Sequence, residues 1–374
     1  MNGVTGRMGS NQHLARSLAA IRAEGGVALP DGGRIWPEVV LVGRNEEKLR
    51  RLAEQHGITR WSTDLDAVLA DPQVDVYFDA QVTNLRAGAV HRAIEAGKAV
   101  YCEKPLADDS TTARELAAHA ERAGVRNGVV QDKLFLPGLR KLRRLVDSGF
   151  FGRILSIQGQ FGYWVFEGFV EPGQRPSWNY RAEDGGGMIL DMFPHWQYVI
   201  ENLFAPIRSL CCLGATHISE RVDESGQTYP VTADDAAYAI FELDGGAIAQ
   251  INSSWATRVY RDDLVVFQVD GTEGSAVAGL RQCRAQPRSA TPRPVWNPDV
   301  DNETEYRAGW IDVPDIEEYD NGFKAQWEQF LLHVATGAPF PWDFAAGARG
   351  ADIVEVAMQS WRERRFVDVP DSPA

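Results

Sequence analysis

The first 137 residues alternate short apolar runs with segments of helical periodicity, and this alternation restricts the fold more than any other feature of the chain. The apolar runs are EVVLVG (38–43), VDVYFDA (74–80), AVYCEKP (99–105) and NGVVQD (127–132), which are typical of buried strands in a parallel sheet. Between them, residues 45–57, 87–98 and 110–124 have helical spacing and glycines at or near their ends. Strand–helix–strand repetition with right-handed crossovers predicts an α/β fold with a doubly wound parallel sheet.

The pattern changes after Pro137. Strand-like alternation, as in AAYAIFELDGG and AIAQINSSWAT, is joined there by glycine-rich turns, and helical periodicity returns near the C-terminus. A chain of 374 residues also exceeds a single ordinary core. We therefore predict a Rossmann-type domain over residues 1–137. Residues 138–374 are predicted to form a substrate-binding α+β domain with a large antiparallel or mixed sheet, whose C-terminal helices pack back on the first domain.

Charge and cysteine content exclude several classes of function. The formal net charge of −14 argues against binding to nucleic acid or to an anionic membrane surface. The four cysteines show neither C-x-x-C spacing nor a histidine at metal-ligand spacing, so no metal site is predicted. With no signal peptide and no bilayer-length apolar run, we expect a cytoplasmic protein whose partner is a small molecule.

The N-terminal sequence NGVTGRMG contains a candidate phosphate-binding loop. Gly3, Gly6 and Gly9 would let the backbone approach a pyrophosphate, and a helical pattern follows from Asn11. The loop residues between these glycines that we assign to the cofactor site are Thr5, Arg7 and Met8. Only two residues precede Gly3, too few for the central strand that such a loop normally follows. We therefore expect a truncated first strand, either because the natural chain begins upstream or because the sequence is shortened.

The residues after the second predicted strand bear on the choice of dinucleotide. An acidic residue normally ends this strand and binds the adenosine ribose of NAD. Here Arg44 and Asn45 stand in its place, and an arginine can pair with a 2′-phosphate. We predict NADP or NAD as cofactor and favour NADP, although a surface arginine at a strand end is the alternative interpretation of Arg44.

The tripeptide Glu103-Lys104-Pro105 ends another predicted strand. Ligands of open α/β sheets bind at the carboxyl ends of strands, so Lys104 is expected at the nicotinamide end of the crevice with Glu103 beside the cofactor. Its ammonium can donate to a substrate oxygen and stabilise the ionised form. Taken by itself, such a tripeptide more often contains an ordinary exposed lysine before a turn. Pro105 is a candidate for a cis peptide bond.

A second candidate catalytic stretch is GGGMILDMFPHW, residues 185–196. Asp191 and His195 lie four residues apart and would share one face of a helix. Histidine suits proton exchange because it titrates near neutral pH. The alternative for Asp191 is a helix N-cap: Pro194 is tolerated in the first turn, which would begin the helix at about Met192.

Residues just upstream are candidate substrate contacts. Trp178 offers an aromatic face to the C–H surface of a sugar ring, and Asn179, Tyr180 and Arg181 offer donors. Packing in the core or on the surface is the competing explanation for each.

Taken together, the N-terminal glycine turn, the E-K-P tripeptide and the G-G-G-x-x-x-D-x-x-x-H motif resemble the Gfo/Idh/MocA family, the glucose–fructose oxidoreductase and inositol dehydrogenase relatives. AIEAGKAVYCEKPLA (93–107) is especially similar, and the resemblance covers nearly the whole chain. It implies a nicotinamide-dependent dehydrogenase or reductase that acts on a sugar, a cyclitol or a related hydroxy or keto compound. By motif position it assigns catalytic roles to Lys104, Asp191 and His195, and it implies a homo-oligomer formed through the second-domain sheet.

Three features depart from the family pattern. The N-terminal loop has G-x-x-G-x-x-G spacing, where G-x-G-x-x-G is more common. Arg86 falls near a position at which many relatives have histidine, and Phe193-Pro194 replaces the usual glycine between the aspartate and the histidine. Two other functions remain to be distinguished from hydride transfer. One is a glycoside hydrolase that uses transient oxidation by a retained NAD, and the other is a silent dinucleotide sensor, which the presence of both Lys104 and His195 disfavours.

Overall fold

The computed structural model describes residues 1–164, 175–294, 297–301 and 303–371. A π-helical segment, Met8–Ala19, leads into the short helix α1 (Ala20–Ala23). The remaining helices are α2 (Glu46–His56), α3 (Leu65–Ala70), α4 (Thr83–Glu95), α5 (Ser110–Ala123), α6 (Pro137–Asp147), α7 (Met188–Leu203), α8 (Gly322–Thr336) and α9 (Phe344–Glu363). None of the helices in these ranges is long and apolar enough to cross a membrane.

The strands divide at α6 into an N-terminal and a C-terminal group. The first group comprises β1 (Val27–Ala28), β2 (Arg34–Ile35), β3 (Val40–Val42), β4 (Arg60–Ser62), β5 (Val76–Asp79), β6 (Ala99–Cys102) and β7 (Asn127–Val129). The second comprises β8 (Ile154–Gly162), β9 (Ile207–Ala215), β10 (Glu220–Val222), β11 (Thr228–Pro230), β12 (Ala236–Leu243), β13 (Ile248–Ser254), β14 (Val265–Gly271), β15 (Gly274–Ala278), β16 (Cys283–Pro287), β17 (Ile311–Asp312) and β18 (Val367–Asp368).

The N-terminal strands form the predicted doubly wound sheet. β3 pairs in parallel with β4, and β5, β6 and β7 form a second parallel set. Asn2 joins the two sets through parallel bridges to Val42 and Asp79. The first strand is thus reduced to one bridging residue, which still occupies the central position of the sheet and aims the following glycine loop at its carboxyl edge.

The C-terminal strands form a nine-stranded mixed sheet in the order β17-β16-β15-β14-β8-β13-β12-β9-β18. Only β8 and β13 pair in parallel among these strands. Side chains on the inner face pack against α7, and their alternation along β12 leaves Tyr238, Ile240 and Glu242 on the other face. The predicted fold class is therefore confirmed.

The C-terminal helices contribute to both cores. Trp327 and Phe330 of α8 pack among Val4 of the glycine loop and Phe78 and Tyr101 of the N-terminal sheet. Helix α9 packs against α5 on one side and against α7 on the other. The division of the chain at residues 137 and 138 stays a prediction, and it falls where α6 begins at Pro137.

Candidate active site

The N-terminal glycine loop makes close backbone contacts that only glycine permits. Gly3 has φ of +75°, and a Cβ there would lie 2.6 Å from the carbonyl carbon of Ala80. A Cβ on Gly9 would lie 2.8 Å from the Gly3 carbonyl oxygen. Gly6 and Arg7 are exposed, Thr5 and Met8 are half-buried, and the N-terminus of the helix follows directly. This loop therefore has the shape and the free N–H groups that a pyrophosphate requires.

Arg44 and Asn45, which follow β3, have different roles in the structure. The Asn45 side chain caps α2 by accepting a hydrogen bond from the Lys48 N–H at 2.9 Å. Arg44 is exposed and has no ion-pair partner among the described residues. Gly43, just before it, lies against the glycine loop, since a Cβ there would be 3.7 Å from Thr5 Cγ2. The Arg44 guanidinium is thus the group at this position that remains available to a ligand.

Lys104 and Asp191, which are far apart in the sequence, meet in the structure. Lys104 follows β6 in a turn with a cis Lys104–Pro105 peptide bond. Its Nζ donates to Asp191 Oδ1 at 2.7 Å and to the Asp191 carbonyl oxygen at 2.8 Å. The lysine side chain is 16% exposed. Two of its three ammonium hydrogens are therefore used, and one remains for a bound molecule.

Asp191 is a member of this charge cluster and does not cap its helix. The capping alternative was wrong because α7 begins at Met188, three residues before Asp191. Asp234 caps α7 in its place, by accepting a hydrogen bond from the Ile189 N–H at 2.8 Å. Arg175 donates to Asp191 Oδ2 at 3.0 Å. Burial alone would raise the pKa of Asp191, but the charges of Lys104 and Arg175 lower it well below its ordinary value.

Pro194 lies inside α7 and not in its first turn. The expectation that it would restrict the helix start was wrong, because α7 begins six residues earlier, at Met188. Phe193 and Pro194 are both buried, and Gly350 of α9 leaves room for Pro194: a Cβ at Gly350 would lie 3.4 Å from Pro194 Cβ. The proline therefore contributes to the contact between α7 and α9.

His195 is buried one turn beyond Asp191 on α7. Its Nδ1 lies 2.7 Å from the Tyr198 hydroxyl, and the Tyr198 hydroxyl in turn donates to Asp132 Oδ1 at 3.3 Å. Burial, followed by the positive charges of Lys133, Lys104 and Arg175, lowers the pKa of His195 well below its ordinary value. The imidazole is therefore neutral at neutral pH and has a lone pair with which to accept a proton.

Glu103 faces away from this cluster into the interior of the N-terminal half. Its Oε1 lies 2.6 Å from Nε2 of His13, and Nδ1 of His13 accepts a hydrogen bond from Trp327 Nε1 at 3.0 Å. Burial opposes ionisation of Glu103, but the hydrogen bond from His13 and the nearby cations outweigh it, so its pKa lies below the ordinary value. Glu103 thus links the turn that carries Lys104 to the glycine-loop helix and to α8.

Arg86 supports the same turn from the opposite side. It is buried, and its Nε donates to Asp79 Oδ1 at 3.1 Å. It also donates to the carbonyl oxygens of Gln81 and Pro105. Arg86 therefore holds the segment after β5 against the cis-proline turn.

The four candidate substrate contacts have different environments. Trp178 is 47% exposed, whereas Asn179 is buried and accepts a hydrogen bond from Arg175 at 3.3 Å. Tyr180 is fully buried against Trp255, and Arg181 lies over the Tyr229 ring at 4.5 Å. Of the four, Trp178 has the accessibility that a sugar contact needs, and Asn179 lies next to the charge cluster through Arg175.

Sequence reasoning missed Arg175, Tyr198, Asp132 and His13. Tyr198 could have been noticed because it lies three residues after His195 on the same helix face. Asp132 follows β7 at the carboxyl edge of the sheet, where ligand-site residues concentrate. No local signal distinguishes Arg175 or His13, because their roles depend on contacts with distant segments.

Two family models match the chain. A model described as "Oxidoreductase family, NAD-binding Rossmann fold" matches residues 3–131, and one described as "GFO/IDH/MocA C-terminal domain" matches residues 139–277. Among curated proteins, the chain is 57% identical to a D-xylose dehydrogenase of Paenarthrobacter nicotinovorans, over 99% of this chain and 97% of that protein. It is 23% identical to a levoglucosan dehydrogenase of Pseudarthrobacter phenanthrenivorans, over 91% of this chain and 93% of that protein.

Solved structures are similar in fold. A levoglucosan dehydrogenase in complex with NADH and L-sorbose superposes with a TM-score of 0.79 at 22% identity, over 99% of this chain and 97% of that one. An NAD-binding oxidoreductase from Klebsiella pneumoniae gives a TM-score of 0.79 at 24% identity, over 99% and 98% of the two chains. At these identities the structural similarity supports the shared architecture alone.

Proposed function

This chain belongs to the GFO/IDH/MocA family of NAD-binding oxidoreductases, and we propose that it oxidises an aldose sugar, with a pentose such as D-xylose as the first candidate. The observation that carries the proposal is the contact between Lys104 Nζ and Asp191, which unites the two motifs at the carboxyl edge of the sheet. The 57% identity to a D-xylose dehydrogenase directs the choice of sugar. The family assignment makes the chain an enzyme acting on CH–OH groups.

The side chains present fit the requirements of alcohol oxidation. A bound nicotinamide dinucleotide supplies a hydride acceptor, and the glycine loop over Gly3 to Gly9 has the close backbone approach that its pyrophosphate needs. The remaining N–H of Lys104 can donate to the substrate oxygen, where negative charge develops as the hydroxyl proton leaves. The neutral imidazole of His195 accepts that proton. Asp191 orients Lys104 and keeps it charged.

A substrate panel tests this proposal. The purified protein is incubated with NAD or NADP and with D-xylose, other aldoses and cyclitols, and the absorbance of reduced nicotinamide is followed. We expect steady reduction with a pentose. Product formation from a glycoside without net reduction would favour the hydrolase that oxidises its substrate transiently.

A matched pair of lysine variants connects the activity to the site. We expect Lys104→Met to lower kcat/KM by about 10²–10⁴-fold, the range for loss of a group that assists proton transfer or stabilises the transition state. Lys141→Met removes a lysine that pairs with Asp315 away from the cluster and should retain wild-type kinetics. Full activity in Lys104→Met would exclude the proposed chemistry.

We propose further that Arg44 selects NADP over NAD. Its guanidinium is exposed after β3, beside the glycine loop, and no acidic residue competes for the ribose at that position. Loss of a charged hydrogen bond is worth about 1.5–3 kcal/mol, so Arg44→Ala should raise KM for NADP roughly 10–100-fold and leave KM for NAD nearly unchanged. Arg50→Ala, which breaks only an exposed pair with Glu54, is the matched control. Equal effects on both dinucleotides would contradict this assignment.

We also propose a homo-oligomer through the outer face of the nine-stranded sheet. Leu213, Tyr238, Ile240 and Ile248 are each 40–42% exposed and lie on neighbouring strands β9, β12 and β13. Exposed apolar side chains grouped on neighbouring strands favour association. Ile240→Lys should lower the molar mass measured by light scattering, whereas Val300→Lys, at an exposed site outside the sheet, should not.

A cytoplasmic location is proposed on the state of the cysteines. Cys102, Cys211, Cys212 and Cys283 are all free thiols, and three of them are buried. Free thiols are typical of a reducing compartment. Fractionation of the producing cells, with a cytoplasmic marker enzyme as reference, tests the location directly.

A further inference from the structure

A chain of hydrogen bonds leads from His195 away from the charge cluster and into the contact between the two halves of the molecule. His195 Nδ1 lies 2.7 Å from the Tyr198 hydroxyl, which donates to Asp132 Oδ1 at 3.3 Å. We propose that Tyr198 and Asp132 relay the proton that His195 takes from the substrate to a solvent-connected cavity beside Asp132. This inference rests on the function proposed above and adds two positioning residues to it.

The direction of each hydrogen bond follows from the donors available. An ionised carboxylate can only accept, so the single hydroxyl hydrogen of Tyr198 is directed to Asp132. The Lys133 backbone N–H, at 3.2 Å, can only donate to the hydroxyl oxygen. His195 must then donate from Nδ1, and Nε2 retains its lone pair. Nε2 has no hydrogen-bond partner among the described residues, so it is the nitrogen that can meet a substrate hydroxyl.

Asp132, the last residue of this series of hydrogen bonds, is one of the residues that line a cavity. This cavity has a volume of about 360 Å³, and the polar part of its lining comprises Gln12, Asp132, Arg281, Tyr319, Asp320 and Asn321. None of Lys104, Arg175, Asp191 or His195 lines it. Arg281 and Asp320 are exposed, so the cavity reaches the surface, whereas Asp132 is only 7% exposed. A proton delivered to Asp132 can therefore leave without passing through the substrate pocket.

The surrounding charges disfavour both a protonated His195 and a deprotonated Tyr198, so the proton passes through these residues without remaining on either of them. Burial, and then the positive charges of Lys133, Lys104 and Arg175, lower the pKa of His195 and disfavour its imidazolium form. Burial and the carboxylates of Asp132 and Glu103 keep the pKa of Tyr198 well above its ordinary value. Lys133 Nζ pairs with Asp132 Oδ2 at 3.1 Å and holds the carboxylate in place.

The transfer balances as three coupled proton movements. Nε2 of His195 gains the substrate hydroxyl proton as Nδ1 gives its own hydrogen to the Tyr198 oxygen. Tyr198 passes its original hydroxyl hydrogen to Asp132 Oδ1, and the resulting carboxylic acid releases it to water in the cavity. His195 is left neutral with its hydrogen on Nε2. After product release, the Nε2 hydrogen leaves to water in the substrate pocket while a proton from cavity water returns through Asp132 and Tyr198 to Nδ1, which restores the lone pair on Nε2.

The first test is made on the protein without substrate and does not depend on its activity. The chain contains only seven histidines, so long-range ¹H–¹⁵N spectra of histidine-labelled protein can be assigned by a His195→Gln spectrum. We expect the Nδ1–H tautomer for His195 in wild type and in Asp132→Asn, whose amide oxygen still accepts from Tyr198. Tyr198→Phe should lose that preference. An Nε2–H tautomer in the wild type would overturn the relay, whether or not the protein oxidises sugars.

The second test is kinetic. With the relay cut, the proton must leave through the substrate pocket while the sugar still occupies it, so kcat should fall by about tenfold, less than the ~10²–10⁴-fold effect of losing the base itself. That kcat should recover as buffer concentration rises, while KM for the sugar stays near wild type. Both Tyr198→Phe and Asp132→Asn should behave this way, and wild type should be independent of buffer. Buffer-independent, wild-type kcat in both variants would contradict the proposal.

The matched control is Tyr101→Phe. Tyr101 is a fully buried tyrosine whose hydroxyl has no hydrogen-bond partner among the described residues, so it controls for removal of a buried hydroxyl. It should show wild-type kcat without buffer dependence. If Tyr101→Phe reproduces the Tyr198→Phe kinetics, the effect is a general consequence of the substitution and the relay is excluded.

Discussion

His13 and His195 are both buried histidines. His13 contacts the carboxylate of Glu103, and His195 contacts a tyrosine that donates to the carboxylate of Asp132, but the two imidazoles differ in how many of their ring nitrogens have partners. His13, in the N-terminal half, has both ring nitrogens occupied, by Glu103 and by Trp327. His195, on α7, has a partner only at Nδ1 among the described residues. An imidazole with two fixed partners ties segments together, whereas one with a free nitrogen can exchange a proton. Burial alone therefore does not distinguish a structural histidine such as His13 from His195, for which we propose a catalytic role.

Two carboxylates, Glu103 near His13 and Asp191 near His195, also differ in their exposure and in their partners. Glu103 is buried, and its two carboxylate oxygens lie within hydrogen-bond distance of His13 Nε2 and of the Lys104 backbone N–H. Asp191 is 29% exposed at its side chain and lies between two cations, Lys104 and Arg175. The Glu103 carboxylate is therefore nearly inaccessible to solvent, whereas the Asp191 carboxylate is partly accessible. The following predictions test this contrast, beginning with the largest effect.

Removing the His195 imidazole should affect catalysis far more than folding. We expect His195→Asn to lower kcat by about 10²–10⁴-fold because the proton acceptor is lost. Steady-state kinetics measure the loss, and a dinucleotide titration by fluorescence should show nearly unchanged cofactor affinity. Wild-type kcat in this variant would place the base elsewhere.

Removing the His13 imidazole should affect folding far more than chemistry. His13→Leu leaves the Glu103 carboxylate buried without its donor, which typically costs about 3–5 kcal/mol. Urea unfolding measures the change in the free energy of unfolding. The double variant His13→Leu/Glu103→Leu should recover much of that loss, because no unpaired charge remains. A double variant as unstable as the single one would contradict this explanation.

The contribution of the Glu103 charge to the free energy of unfolding should depend on pH. The pKa of Glu103 is lower in the folded protein than the value of about 4.3 in an unfolded chain. Its stabilisation is thus present above that value and is lost as the pH falls through the folded pKa. Wild type should exceed Glu103→Gln in unfolding free energy by about 1–2 kcal/mol at pH 7. Urea titrations at successively lower pH should show this gap closing; a gap that widens would show that the charge is not stabilising.

The smallest effect is expected at Trp327. Trp327→Phe keeps the ring contact with Tyr101 and Phe330 but removes the indole donor to His13 Nδ1. One neutral hydrogen bond contributes about 1 kcal/mol, so the free energy of unfolding should fall by that amount with kcat unchanged. A large loss of kcat would show that His13 is coupled to the chemistry, which would end the distinction between the two histidines.

Much of the fold could be predicted because it is encoded in local periodicity. The four predicted strands of the N-terminal sheet appear as β3, β5, β6 and β7, and the glycines at Gly57 and Gly124 end α2 and α5 in left-handed conformations. Residues of the short strand β4 went unpredicted because three residues carry too little pattern. The start of α7 was predicted too late, since its cap, Asp234, comes from a distant segment.

The sequence by itself determined the two motifs, their chemistry and the class of sheet that presents them, because residue type and spacing are local properties. It could not determine that Lys104 meets Asp191, that Arg175 completes the cluster, or that Asp132 lies behind His195. These contacts join segments tens of residues apart, and burial together with opposite charge decides which of the possible pairs form. Folding also decided that both ring nitrogens of His13 have hydrogen-bond partners, whereas His195 has one only at Nδ1 among the described residues.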